Sequence, residues 1–504
     1  MIKIFNSEQI KSWDVTTIQR QSISSLELME RAATAFTKEF EKHFQADLPV
    51  IIICGIGNNG GDGLAVGRLL CQDGYTVRCF VVGDVNKGTG DFLANLERAT
   101  QLNLVTKVTS ISEINLSDNE VVIDGLFGTG LSRPVTGLEA QVIGLINLHK
   151  NSVIAIDIPS GLYPDRTADG PVIQATNTFT FQTPKLTFFF PETETHVGKC
   201  KVLDIGLDQK FNSDTLTSVC LLEASDISND FITRSRFAHK GNNGHLLLVA
   251  GSYGKIGASV LAAHAALRTG CGLVTSYIPG CGYQVIQSAL PEAMVITDPE
   301  EKFISDLPQL KAYGCVAVGP GLGTHPATVK VVENLLTNCI CPMVIDADAL
   351  NIISENPGLI SLIPKHSILT PHPGEFRRLA GLWKNDTEKF EILVEFAKKI
   401  ESIIVLKGAN TLVAMPDGSV YINQTGNSYM ATGGCGDVLT GMIAALICQG
   451  YSAQQAAKMG VWLHGLAGDI ATQGCFPILA GDLITRIPQA WNQLFGEKTA
   501  DFRL

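Results

Sequence analysis

The chain has 504 residues, more than a single hydrophobic core usually serves, so two or three domains are expected. Hydrophobic residues make up 45% and charged residues 17%, with a mean hydropathy of +0.19, which excludes a disordered or solvating polymer. Against 49 acidic side chains stand 38 basic ones, a net charge of −11, and no Lys/Arg cluster is interleaved with aromatics, so no nucleic-acid partner is expected. The uncharged stretch from Thr269 to Pro291 is broken by Gly270, Gly272, Pro279, Gly280 and Gly282, too often for a membrane span of about 18 apolar residues. A soluble chain with no membrane association is expected. The apolar surplus then belongs in the core and in subunit interfaces, and the expectation is a homo-oligomer, a tetramer or larger. The 13 cysteines include no CxxC pair and are scattered singly apart from Cys339 and Cys341, a pattern of free thiols in a reducing compartment. With no apolar leader at the N-terminus, a cytoplasmic location is expected.

Short β-branched runs alternate with longer amphipathic stretches. Pro49–Cys54, Val77–Val82, Val121–Ile123 and Val153–Ile156 read as strands, and Leu64–Leu70 and Leu138–Leu148 as helices. Such alternation predicts a parallel sheet with helices on both faces. The pattern weakens between Gly206 and Lys240 and restarts at His245–Ala250, with a helix over Leu261–Leu267. The domain boundary is placed near residue 225, giving domains 1–224 and 225–504.

Three loops in the first half follow strands directly. Gly55-Ile-Gly-Asn-Asn-Gly-Gly-Asp-Gly63 opens a helix, and its amides at the helix N-terminus form an anion cradle. In the second loop, Asp124 ends a strand and is followed by Gly128, Thr129, Gly130, Leu131, Ser132, Arg133 and Pro134, a further set of amides with a guanidinium. In the third, Asp157 ends a strand and Ser160 follows in a proline turn. A single acid at a strand end is more often a helix cap than a catalyst, but three such loops at one sheet edge favour a site. Asn59, Asp124 and Ser160 offer hard oxygens suited to an alkali cation rather than to zinc. Asp157 is the candidate acid–base group; Lys185 is a weaker candidate to assist, since a lysine is more often a surface charge.

In the second half, Thr432-Gly-Gly-Cys-Gly-Asp-Val-Leu-Thr-Gly441 precedes an apolar helix. Gly433, Gly434 and Gly436 let amides close on a polyphosphate, and Asp437 stands where a carboxylate could take a proton from an attacking hydroxyl. An Asp N-cap behind a glycine turn would look the same. Ile403–Leu406 ends in Lys407 and the small residues Gly408, Ala409, Asn410 and Thr411, suited to a nucleotide. Gly319-Pro-Gly-Leu-Gly323, Ile345-Asp-Ala-Asp-Ala-Leu350 and Leu369-Thr-Pro-His-Pro-Gly-Glu375 each follow a strand. His372, fixed between two prolines, is expected to be exposed and lacks metal-ligand neighbours.

The motifs GIGNNGGDG, DGLFGTGLSRP and AIDIPSG, with Phe181–Leu186, resemble the N-terminal domain of bacterial bifunctional NAD(P)H-hydrate repair enzymes over residues 1–206. GPGLG, DADALN, LTPHPGEF, LKGANT and TGGCGD, in that order, resemble the C-terminal domain of the same enzymes, a dehydratase branch of the ribokinase-like superfamily. The resemblance implies a Rossmann-like three-layer α/β/α domain followed by a ribokinase-like α/β domain. It implies an epimerase for the R and S hydrates of NADH and NADPH, joined to an ADP-dependent dehydratase of the S hydrate. By the same resemblance Asn58, Asn59, Gly60, Gly61, Asp62, the run Gly128 to Pro134 and Asp157 bind the hydrate, and Asn59, Asp124 and Ser160 hold potassium. Lys407 to Thr411 and Asn427 to Gly436, Cys435 included, hold ADP with its Mg2+. Ala258, Gly323, His372 and Asp437 contact the hydrate. Cys435 departs from the threonine usual between these glycines; it keeps the amides and removes a hydroxyl. Two other readings compete: a ribokinase-like kinase of a small hydroxymethyl substrate fused to a dinucleotide-binding domain, and a non-catalytic dinucleotide-binding scaffold. The Asn-Asp-Ser set and Asp437 argue against the scaffold, and the fused N-terminal domain argues against the kinase.

Overall fold

A computed structural model describes residues 1–310, 313–473 and 476–499, with the side chains of 497–499 left aside. The chain divides into two compact units, one of residues 3–217 with 385–387, the other of 1–2 and 218–384 with 388 onward. Among the described residues no helix is long and apolar enough to cross a membrane.

The first unit is built on a sheet ordered Val105–Val108, Val77–Val82, Val50–Cys54, Val121–Gly125, Ser152–Ile156, Asn177–Phe181, Lys199–Leu203. Every pairing in it is parallel. Alternation of side chains along a strand sends Val50, Ile52, Ile123, Ile154 and Ile156 to one face, where Phe36, Phe40, Leu64 and Leu70 cover them. Ile51, Ile53, Val122, Val153 and Ala155 go to the other, under Val142, Ile143 and Ile146. Burial on both faces explains why these strands read as continuous apolar runs. The result is the three-layer α/β/α sandwich that the alternation predicts.

The second unit carries a longer sheet, ordered Val219–Leu221, Val420–Asn423, Thr411–Ala414, Ile403–Leu406, Ile368–Leu369, Met343–Ile345, Cys315–Val318, His245–Val249, Leu273–Ile278, Met294–Thr297. It is parallel from Ile403–Leu406 to Met294–Thr297. Thr411–Ala414 runs antiparallel to both of its neighbours. The unit takes in residues from Ser218 because the short strand Val219–Leu221 pairs with Val420–Ile422. The helix Cys435–Cys448 is buried along nearly its whole length, with only Gly436 and Asp437 of its residues partly exposed. A helix apolar all round belongs inside a domain, and this one packs with Ala262, Ala266 and Leu463 in the core.

Within the first unit, Phe36 is fully buried, and its ring meets Phe179 edge-on at a centroid distance of 5.3 Å. Phe36→Ala should destabilise this unit by about 3–5 kcal/mol, read as a lower urea midpoint in equilibrium unfolding.

Candidate active sites

In both units most of the loops named from sequence leave the carboxyl ends of parallel strands, where a doubly wound sheet opens to ligands, while residues 432–434 follow the short turn Ser428–Met430 and open the helix Cys435–Cys448. In the first unit they surround a cavity of about 530 Å³ lined by Asn58, Asn59, Asp62, Gly128 to Arg133, Asp157 and Lys185. Gly60 and Gly61, also expected to bind, do not reach it. A Cβ on Gly60 would lie 1.8 Å from the Gly55 carbonyl oxygen, and one on Gly61 would strike Met29. Both positions are small so that the helix Asn58–Gln72 can sit close on its neighbours. Pro134 is likewise absent from the lining and lies against Gly170.

Beneath the cavity, Asp124 and Ser160 are fully buried. Ser160 donates from Oγ to Asp124 Oδ1 at 2.6 Å and from its amide to Oδ2 at 2.8 Å, and the Leu126 amide donates to Oδ1 at 3.2 Å. The Phe127 amide donates to Ser160 Oγ at 2.8 Å, and Asn59 Nδ2 donates to the Phe127 carbonyl at 2.9 Å. Asn59, Asp124 and Ser160 are thus brought together around one peptide. Burial pushes the Asp124 carboxyl up to about 6 against the pull of those donors, and no basic side chain is among the groups acting on it. A buried carboxylate held by neutral donors alone keeps a negative charge that a monovalent cation could offset.

Asp157 holds a left-handed backbone, φ 64°, unusual for a residue other than glycine. Its Oδ1 accepts from Lys185 Nζ at 2.5 Å, the Phe181 amide at 2.9 Å and Thr180 Oγ1 at 3.1 Å. Lys185 is not a surface charge: it is 1% exposed, with Nζ also donating to Thr180 Oγ1 at 2.8 Å. Its depth could not be read from Thr-Pro-Lys, because a tight turn after Asn177–Phe181 folds it back beneath that strand. Asp14 on the helix Ser7–Gln21 also lines the cavity. Sequence reasoning missed it, since an isolated acid in an amphipathic helix carries no signal.

In the second unit, Asp437 is in the first turn of Cys435–Cys448, after Gly434 at φ 95°. Burial pushes its carboxyl up to about 7, as do the charges of Asp346, Asp348 and Glu375, while Lys407 pulls it down. Lys407 Nζ donates to Asp346 Oδ1 at 2.9 Å, and Thr440 Oγ1 to Oδ2 at 2.7 Å. A Cβ on Gly436 would be 3.3 Å from that Nζ, so loop, lysine and Asp437 form one cluster. Gly433 has open space where a side chain would be, and Gly408 and Ala409 are exposed. The amide of Gly323 and the ammonium of Lys255 share Asp348 Oδ2, at 2.8 and 3.1 Å, which joins the Gly319–Gly323 loop to the start of the helix bearing Ala258. Asn410 and Thr411 stand at the turn after Lys407, where Thr411 Oγ1 donates to the Gly408 carbonyl at 3.1 Å. Asn427 donates from Nδ2 to Asp469 Oδ1 at 2.9 Å.

His372 is 53% exposed and caps the helix Pro373–Ala380, its Nδ1 accepting from the Gly374 amide at 3.0 Å. Cys435 points into the core, so a threonine hydroxyl there would be buried as well. Asp346 and Thr440 lie within quoted motifs but were given no role, and His464 was missed outright. The latter sits mid-helix, and its Nε2 donates to the Cys435 carbonyl at 2.9 Å, tethering the glycine loop.

Two family models match the chain. One, described as YjeF-related protein N-terminus, covers residues 25–187, and one described as NAD(P)H-hydrate dehydratase covers 246–489. The second unit also resembles the crystal structure of a ribokinase-like superfamily protein from Enterococcus faecalis V583, at 25% identity and a TM-score of 0.50 over 56% of this chain and 98% of that one. These define a fusion of a Rossmann-like domain to a ribokinase-like one. Over nearly its whole length the chain is similar to the bifunctional NAD(P)H-hydrate repair enzyme Nnr of Moorella thermoacetica, 39% identical over 94% of this chain and 93% of the relative. The Nnr of Escherichia coli is 32% identical over 94% and 91%. The chain therefore belongs to the family of bifunctional NAD(P)H-hydrate repair enzymes.

Burial pushes the His464 imidazole down to about 4. The neutral ring is therefore favoured in the folded state, and the unfolded chain takes up the extra proton between about pH 6.5 and 4. Its contribution to stability is complete above pH 6.5 and is lost as pH falls through that window. His464→Gln should reduce the acid-side drop in melting temperature relative to the parent chain, measured by thermal unfolding from pH 7.5 to 4.

Proposed function

We propose that the chain repairs hydrated nicotinamide dinucleotides, interconverting the R and S hydrates of NADH and NADPH in the first cavity and dehydrating the S hydrate with ADP in the second site. One observation carries this reading. A single chain, similar to repair enzymes along nearly its entire length, holds two strand-end sites, each with an acid beside a glycine-rich loop.

In the first site the amides at Asn58 and along Gly128 to Arg133 would take the dinucleotide phosphates. Asp157, paired with Lys185, would serve as the acid–base group for proton transfer at C6 or its neighbours. Asn59, Asp124 and Ser160 would hold potassium, which supplies the positive charge that Asp124 lacks and ties three loops together. In the second site ADP would rest on Lys407 to Thr411 and Asn427 to Gly436, and the hydrate against Ala258, Gly323, His372 and Asp437. Magnesium would enter on the nucleotide phosphates and supply charge to the transferred group. Hydroxide is a poor leaving group from C6, whereas phosphate is a good one. Asp437 takes the hydroxyl proton as the oxygen attacks the β-phosphorus, releasing AMP, while the amides of Gly433 to Gly436 stabilise the phosphoryl oxygens. The N1 lone pair then expels phosphate, and loss of a C5 proton restores the double bond. All described cysteines are free thiols, which supports a reducing, cytoplasmic setting.

Mixed hydrate epimers with ADP should give NAD(P)H, AMP and phosphate in equal amounts, followed by the return of nicotinamide absorbance. Asp437→Ala should bind nucleotide nearly as well and abolish this turnover. A stable phosphate ester without reduced nicotinamide would replace the repair reading with the kinase one. Asp124→Ala should abolish epimerisation and leave dehydration of the S hydrate intact, and Asp157→Asn should slow epimerisation by roughly 100-fold or more. Full epimerisation in potassium-free buffer would remove the cation from the account.

A further inference from the structure

Three carboxyl groups line the first cavity, Asp14, Asp62 and Asp157, each from a different element. They are not equivalent. Asp157 is charge-paired with Lys185. Asp62 lies deep in the wall, where burial first and then the charges of Asp157, Asp14 and Asp91 favour its neutral form. Asp14 is half-buried at the rim, and the groups acting on it are Asp157 and Lys185, with no hydrogen bond from the protein. Its carboxyl is therefore left open to the cavity rather than tied to a protein partner. Nor is Asp14 loosely placed. The adjoining Trp13 is 3% exposed, donates from Nε1 to the Asp208 carbonyl at 2.9 Å and stacks on Phe211 at 5.8 Å. Its helix is closed at the N-terminus by an Asn6–Gln9 capping box. The helix therefore presents a fixed, unpartnered carboxyl to the cavity that holds the Asp157–Lys185 pair.

We propose that Asp14 is the second proton-handling group of the epimerase site, giving a proton to the departing C6 hydroxyl while the Asp157 carboxylate takes one from the water that re-adds to the opposite face. This rests on the epimerase reading of the cavity. An epimerisation at C6 that proceeds by loss and return of water needs an acid for the leaving oxygen and a base for the incoming one. As the C6–O bond breaks, its electron pair stays on the oxygen, which takes the Asp14 proton and leaves as water. The N1 lone pair forms an N1=C6 iminium. Water then bonds to C6 from the other face, its proton passes to Asp157, and the π electrons return to N1. The reverse reaction uses the same two groups in exchanged roles, and exchange with solvent restores the starting protonation. Burial and the Asp157 charge push Asp14 up to about 7, so the donor form persists to neutral pH. Asp62, Asp157, Lys185, Lys11 and Arg133 are the other charged or titratable groups on the cavity wall.

The test follows conversion of purified R hydrate to S by chromatography, with full-length protein and no ADP. Asp14→Asn is expected to lower kcat by about 100-fold with KM little changed, and to remove the fall in kcat that the parent shows above pH 7. Asp14→Glu should restore much of the rate, and ADP-dependent dehydration of S hydrate should be unaffected in both variants. In H2 18O, each inversion by the parent should carry label into the C6 hydroxyl. Parent-like turnover in Asp14→Asn, a pH profile merely scaled down, or inversion with the oxygen retained would each overturn the proposal and leave the epimerase reading standing. A parent chain that does not epimerise would overturn both.

Discussion

A sheet buried on both faces has nowhere to put polar chemistry except its ends, and both units of this protein obey that constraint. Strands such as Ile51–Ile53 and Leu246–Val249 have no exposed side chain, so the groups that line the sites come from the loops at their carboxyl ends and from the helices packed beside them. The same constraint sets the electrostatics. Helices and strand ends packed against a dry sheet hold their acids partly out of water, and burial is the largest influence on Asp14, Asp62, Asp124 and Asp437 alike. One cause thus raises the proton affinity of carboxyl groups in both domains.

The units differ in how they offset that buried negative charge. In the second, Lys407 is anchored on Asp346 beside Asp437, and loop amides complete the field, an arrangement suited to polyanions that bring their own metal. In the first, the single buried lysine belongs to Asp157, and Asp124 is left among neutral donors. In the first site no basic side chain acts on the carboxyl of Asp124 in the floor, whereas in the second a lysine stands beside the acids.

Strand–helix alternation was legible because parallel strands buried on both sides leave unbroken apolar runs, and the glycine loops were legible because strand–loop–helix turns compress several small residues into a few positions. Helix starts were read late. Asn58–Gln72 begins six residues before Leu64, since a first turn made of Asn, Gly and Asp shows no apolar period. Val219–Leu221 escaped because three residues between polar flanks carry no periodicity. In the sites, residues inside motifs could be named, but those that reach in from elsewhere could not. Asp14 and His464 lie on helices outside the motifs, and Lys185, named only as a weaker candidate, shows its burial only in the fold. Gly60 and Gly61 show that a motif glycine can also be required for close packing, since a Cβ on either would strike a neighbour.

The backbone of Asp157 also bears on how this position can change over generations. At φ 64°, β-branched and bulky side chains are strained, whereas glycine, asparagine and aspartate are tolerated. Geometry thus narrows the side chains that can stand at this position. A descendant domain released from catalysis would be expected to drift first to asparagine or glycine here, with Lys185 lost soon after, because a buried ammonium deprived of its partner is costly. The residue at this one position would then distinguish working copies of the domain from those kept only as scaffolds.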